Sequence, residues 1–150
     1  MDELPSSTTL RPTELLCGDS THLSVSIIHS LIEKGFELKN VEAMVSSSEL
    51  FSKKQILKQI LGESELTAHQ QRVRSGDFRI NAQQSATAFR FAETLEYAIR
   101  IFGEQKLAEE WLARSCRHMN GAVPVDMIDD PVGFRTVKQY LRRIEYGIYQ

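Results

Sequence analysis

The stretch NAQQSATAFRFAETLEYAIRIFG (81–103) decides the fold. Asn81 has the short polar side chain of a helix N-cap, and Gly103 has the backbone freedom of a C-cap. Between them Ala82, Ala86, Phe89, Ala92, Leu95, Ile99 and Phe102 recur at helical spacing, which predicts a helix over 82–102 with that stripe facing a core. No run of clean period-2 alternation bounded by turn pairs occurs anywhere in the chain, so the expected fold class is all-α.

Outward from this helix the same signals recur. On the C-terminal side a helix is expected over about 104–113, presenting Leu107, Ala108, Trp111 and Leu112. Asp130 as N-cap and Pro131 in the first turn start a last helix, on which Val137, Leu141, Ile144 and Ile148 share a face. On the N-terminal side a helix from Thr21 carries Leu23, Ile27, Ile28, Leu31 and Ile32 as a core face and ends at Gly35. A short helix follows around LKNVEAMV (38–45), then one capped by Ser52 with Ile56, Leu57, Ile60 and Leu61 inward. Gly62 and a second short helix, about 64–74, come next. Residues 1–12 hold two prolines and little to bury and are expected to form a mobile arm. Gly103 suggests a division into 13–103 and 104–150.

The composition, 41% hydrophobic and 25% charged over 150 residues, is that of a globular protein. No apolar run approaches a membrane span, and the acidic, Ser/Thr-rich start is unlike a secretory leader, so a cytoplasmic protein without membrane contact is expected. The net charge of −2 is unevenly placed. Residues 1–51 hold eight acids and three bases, whereas 52–74 hold five bases and two acids. A local basic patch can bind phosphate in an otherwise acidic chain, although a solvated helix face is the commoner reason for one.

Catalysis needs a nucleophile, a base or paired carboxylates held in register, and none is evident. His22, His29, His69 and His118 are scattered, and Cys17 and Cys116 lack metal-ligand spacing. Asp129 and Asp130 are explained by helix capping. Cys116 sits beside Arg114, Arg117 and His118 with no orienting partner in view. No enzyme activity, metal or cofactor is expected.

SKKQILKQILGESELTAHQQRVRSG (52–76) has helix-turn-helix spacing. Its second helix would enter a DNA major groove, where Gln pairs with adenine and Arg with guanine or phosphate. Thr67, Gln70, Gln71 and Arg74 are the candidate readers; Ser64 at the helix start and Arg72 complete the DNA-binding set. An ordinary αα-corner with a polar outer face fits the same spacing.

The second half resembles the toxin-binding domain of the Xre/MbcA/ParS antitoxins. The resemblance runs through FGEQKLAEEWL (102–112), MNGAVPVDMI (119–128) and VGFRTVKQYLRRIEYGIY (132–149), with RRIEYGIY (142–149) the most specific piece. QILGESELTAHQQRVRSGDFRINAQQSATAFRFA (59–92) is similar to that family's divergent Xre-like helix-turn-helix and long following helix. Two departures stand out: Ser115-Cys116 replaces a common Pro-Asn, and Gln70-Gln71 stands where an Arg pair is frequent. The resemblance implies a helix-turn-helix domain followed by a small helical toxin-binding domain. It implies an antitoxin whose usual partner is a RES-domain toxin that consumes NAD⁺. The tail residues Arg142, Arg143, Glu145, Tyr146, Gly147, Ile148 and Tyr149 would dock at the toxin's active-site cleft. Operator DNA is the second implied partner, bound for autoregulation, and a homodimer is expected because helix-turn-helix proteins commonly read two-fold half-sites. A transcriptional regulator with no toxin, or a protein-binding module without DNA contact, are the competing readings.

Overall fold

The computed structural model describes residues 10–18, 24–62 and 78–147. Eight α-helices occupy them: α1 Pro12–Cys17, α2 Val25–Lys34, α3 Leu38–Ser46, α4 Glu49–Lys53, α5 Ile56–Leu61, α6 Ala82–Phe102, α7 Gln105–Ala113 and α8 Pro131–Glu145. Two 3₁₀ turns, Arg117–Met119 and Pro124–Met127, join α7 to α8. Among the described residues there is no strand, and the all-α expectation holds; only the isolated bridges Glu37–Arg79 and Cys116–Ala122 have extended pairing.

The long helix α6 has the predicted limits. The Asn81 side chain accepts from the Gln84 N–H at 2.7 Å, and the Gln84 side chain accepts from the Asn81 N–H at 3.0 Å, a reciprocal capping box. The buried Gln84 amide also donates to the Leu61 carbonyl, which ties the end of α5 to the start of α6. The buried stripe, however, is Ser85, Ala88, Phe91, Ala92, Thr94, Leu95 and Ala98 rather than the expected one. Of the predicted residues only Ala92 and Leu95 are fully buried, Phe89, Ile99 and Phe102 are half-buried and Ala82 is exposed. The cause is that α1, α2, α5, α7 and α8 all pack on α6, so its burial is not one stripe. Phe51 meets Phe91 edge-to-face at 5.5 Å between ring centres in the middle of this core.

Further differences from the sequence-based expectations have local reasons. α1, absent from them, begins at Pro12 and buries Leu16 completely. The helix expected to start at Ser52 is two helices. Ser48 caps α4 by accepting from the Phe51 N–H at 3.1 Å, and Gln55 then turns left-handed at φ 54° before α5. Each short helix inserts its own residues, Leu50 and Phe51 from one, Ile56, Ile60 and Leu61 from the other. The expected core face of α2 is only partly inward, and Leu23, expected on it, lies outside the described residues. No residue of α2 is fully buried, Ile27 is 47% exposed and Leu31 and Ile32 only border the core. Leu107 of α7 is likewise exposed.

A short antiparallel stitch holds 35–38 against 78–80. Leu38 donates to the Phe78 carbonyl at 2.8 Å, Ile80 to the Phe36 carbonyl at 3.0 Å, and the Arg79 guanidinium to the Gly35 carbonyl at 2.8 Å. The buried Ser85 hydroxyl accepts from the Phe36 N–H at 3.0 Å, so this backbone enters the core with its polar groups satisfied. Gly35 has φ +94°, and a Cβ there would sit 2.1 Å from the Ile80 carbonyl oxygen. Gly35→Ala is therefore expected to cost about 3 kcal/mol and lower Tm by roughly 10 °C, read by calorimetry. An unchanged Tm would contradict the stitch.

Candidate functional site

The tail residues of interest are carried by α8, and the sequence around it explains why that helix stands where it does. Asp130 caps it as expected, accepting from the Gly133 N–H at 2.8 Å, and Pro131 supplies its first turn. Gly133 is buried against the preceding 3₁₀ turn; a Cβ there would lie 2.2 Å from the Met127 carbonyl oxygen. Val137 and Leu141 are fully buried and Ile144 half-buried, so the predicted inner face of α8 holds as far as the described residues go. Gly147 has φ +72° and donates to the Ile144 carbonyl at 3.0 Å, the left-handed stop read from the sequence.

The outer end of α8 is pinned to α6. The Tyr97 hydroxyl donates to the Glu145 carboxylate at 2.8 Å. Arg100 stacks over the Tyr97 ring at 4.7 Å and reaches Glu145 at 3.9 Å. That ion pair is long and its arginine is 69% exposed, so it contributes a few tenths of a kcal/mol at most. The charged hydrogen bond is the stronger link, worth about 1 kcal/mol at this partly exposed position. Partial burial pushes the Tyr97 phenol above its ordinary value, Glu145 adds to the shift, and Arg142 opposes it. Upstream on the same faces, Lys138 pairs with Glu93 at 3.1 Å.

This corner borders a groove of about 640 Å³ between α1, α6 and α8, in which Arg11, Glu96, Tyr97, Arg100, Lys138 and Arg142 meet. Its charges are largely paired: Glu96 accepts from the Thr13 N–H at 3.1 Å and lies 3.7 Å from Arg11. Of the expected toxin-binding residues, Arg142 lines the groove, Arg143 is exposed, Glu145 faces α6, and Tyr146 stands 71% exposed beyond the helix end. Glu145 thus anchors the tail within the chain itself. Ile148 and Tyr149 lie outside the described residues.

The expected second helix of the helix-turn-helix, with Ser64, Thr67, Gln70, Gln71, Arg72 and Arg74, also lies outside the described residues. α5 and Gly62, which would precede it, are described, with Gly62 at φ +87°. Among the described residues no group of three or more His, Cys, Asp or Glu is placed to hold a metal, and no helix is long and apolar enough to cross a membrane. Cys17 and Cys116 form no disulfide. Tyr97 and Arg100 are site residues that sequence reasoning missed. Their one signal, an i, i+3 aromatic–cation pair on α6, says nothing of a partner 48 residues away.

Residues 98–147, from the last turn of α6 to the end of α8, match the antitoxin Xre/MbcA/ParS C-terminal toxin-binding domain. A curated relative, Antitoxin Xre of Photorhabdus laumondii subsp. laumondii, is 31% identical over 75 residues, which cover 49% of this chain and 51% of the relative. The chain thus spans about half the length of that relative. Together the two findings support an Xre/MbcA/ParS family antitoxin.

If Tyr97 pins the end of α8, Tyr97→Phe speeds amide exchange at 144–147 several-fold while the rest of α8 keeps its protection. Because folding raises the Tyr97 pKa above 10.0, its contribution to stability is full below pH 10 and is lost as pH rises through the folded value. An absorbance titration should show the phenol shifting back down in Glu145→Gln; no change would break the link.

Proposed function

We propose that this chain is the antitoxin of a type II toxin–antitoxin pair. It neutralises a RES-domain, NAD⁺-consuming toxin by laying its C-terminal tail over the toxin's active-site cleft, and it binds its own promoter DNA as a homodimer in the cytoplasm. The observation that carries the reading is the end of α8, where the match to a toxin-binding domain coincides with an anchored Glu145 followed by an exposed Tyr146. A segment held at Glu145 and exposed at Tyr146 loses less conformational freedom on docking than a free one. Arg142 and Arg143 would pair with acidic or polar groups on the cleft rim, and Tyr146, with Ile148 and Tyr149, would fill apolar recesses. The choice of a RES toxin rests on the resemblance of the RRIEYGIY run, and the promoter role on the basic 52–74 segment and its Gln and Arg residues.

The chain performs no chemistry in this account; it blocks entry of a substrate. The tail can be tested without disturbing the core, because Leu141 is buried and Glu145 is bonded whereas the chain from Tyr146 onward is not needed for either. From the native operon, the full chain should co-purify with a RES-type neighbour, and deletion of 146–150 should abolish that capture with helicity unchanged. Retention of the toxin after deletion would sink the tail-docking claim. For the promoter, Gln71→Ala and Arg74→Ala should each weaken binding by about tenfold in a gel-shift titration. Unchanged affinity would remove the recognition-helix assignment and leave a pure toxin-binding module.

A further inference from the structure

Beside the first groove, and sharing Glu93, Lys138 and Arg142 with it, lies a second of about 530 Å³, between α2, α6 and α8. Its apolar walls are Ile32, Phe89 and Phe134, each half-buried; α8 contributes the cations Arg135, Lys138 and Arg142, and α6 contributes Arg90 and Glu93. The three cations stand at i, i+3 and i+7 on α8 and so form one stripe along the helix. Lys138 is paired with Glu93, and Arg142 acts on Tyr97, but Arg135 is exposed and has no partner among the described residues. The apolar surface continues past the groove. Val25, seven residues before Ile32 and hence on the same side of α2, is 85% exposed, and Val132 beside Pro131 is 63% exposed. Glu93 is paired to Lys138 and Arg90 is bonded to the Ile128 and Asp129 carbonyls, so the charge left over on the rim is positive, and an apolar surface with such a rim is a usual mark of a protein interface.

We propose that this groove is part of the toxin-docking surface and takes an acidic segment of the toxin that carries an apolar side chain. The inference rests on the antitoxin reading above and deepens it. Pro131, Phe134, Arg135, Lys138 and Arg142 fall inside the segment matched as a toxin-binding domain, so the groove is continuous with it. Ile32 and Phe89 fall outside that segment, which makes the surface composite: the N-terminal half supplies these two apolar walls, and α8 supplies Phe134 and the cationic stripe. Carboxylates complement the cationic stripe, and the phenyl walls bury an aliphatic or aromatic side chain. A phosphate backbone would gain only the cations and leave Phe89 and Phe134 without a contact. The groove shares Glu93, Lys138 and Arg142 with the one beside the Tyr97–Glu145 corner, so it extends the tail's docking surface towards α2.

The test titrates the purified toxin encoded beside this chain into full-length wild type, Arg135→Glu, Arg135→Lys and Ile32→Ala, with circular dichroism and thermal melting as folding controls. Arg135→Glu should weaken binding by about tenfold and flatten its salt dependence, Arg135→Lys should restore most of it, and Ile32→Ala should weaken it by about three- to tenfold. Wild-type binding with all variants unchanged overturns the groove and leaves the antitoxin reading standing. If Arg135→Glu instead weakens promoter binding or dissociates a dimer while toxin affinity holds, the groove serves DNA or a second copy and the proposal falls. If wild type does not bind the toxin at all, the antitoxin reading falls and the groove with it. Should Ile32→Ala unfold, the Arg135 pair alone decides.

Discussion

The need to bury α6 on more than one side places five of the other helices directly. A helix of 21 residues with Ala88, Ala92 and Ala98 on its inward surface lets neighbouring backbones approach closely, and the chain uses this on several faces. α1, α2 and α5 lie against it from the N-terminal half, α7 and α8 from the C-terminal half. The buried polar groups on it are satisfied: Thr94 donates to the Arg90 carbonyl at 2.7 Å, and Ser85 accepts from Phe36. A single apolar cluster, from Leu16 through Phe51 and Phe91 to Leu141, runs through both halves as a result.

This constraint bears on how the matched segment works. The match begins at residue 98, inside α6, one residue after the Tyr97 that bonds Glu145. The support for the end of α8 therefore comes from a residue just upstream of the matched segment, and behind it from Phe91 and Phe51. Arg90 strengthens the same connection by donating to the Ile128 and Asp129 carbonyls at 3.2 and 2.8 Å, at the point where the chain enters α8. Sequence outside 98–147 thus sets the position of residues inside it.

Much of the framework was legible in the sequence because its signals are local. Asn81, Gly103, Asp130 with Pro131, and Gly147 each act on the backbone next to them, and the helix ends they mark are where the structure has them. What was not legible depends on partners far along the chain. A period of 3.6 cannot say which of two apolar arcs of α6 is buried when several helices pack on it, and Phe89 and Ile99 were placed inward for that reason. The apolar run of α2 looked like a core face, yet it borders a groove. The break at Gln55 carries no turn residue of the usual kind, and the six-residue α1 is hidden among prolines. At the candidate site the sequence marked Tyr146, the arginines and Glu145, but not the bond that Glu145 makes to Tyr97.

The account makes the end of α8 a prepared docking element, rooted on α6 at Glu145 and exposed at Tyr146. Hydrogen–deuterium exchange of the full chain, with and without the neighbouring toxin at saturation, tests this most directly. The account predicts that new protection in the complex is concentrated at 142–150, beyond the bond that already holds Glu145. Protection confined to 52–74, or a tail that exchanges as fast in the complex as in the free chain, would contradict it.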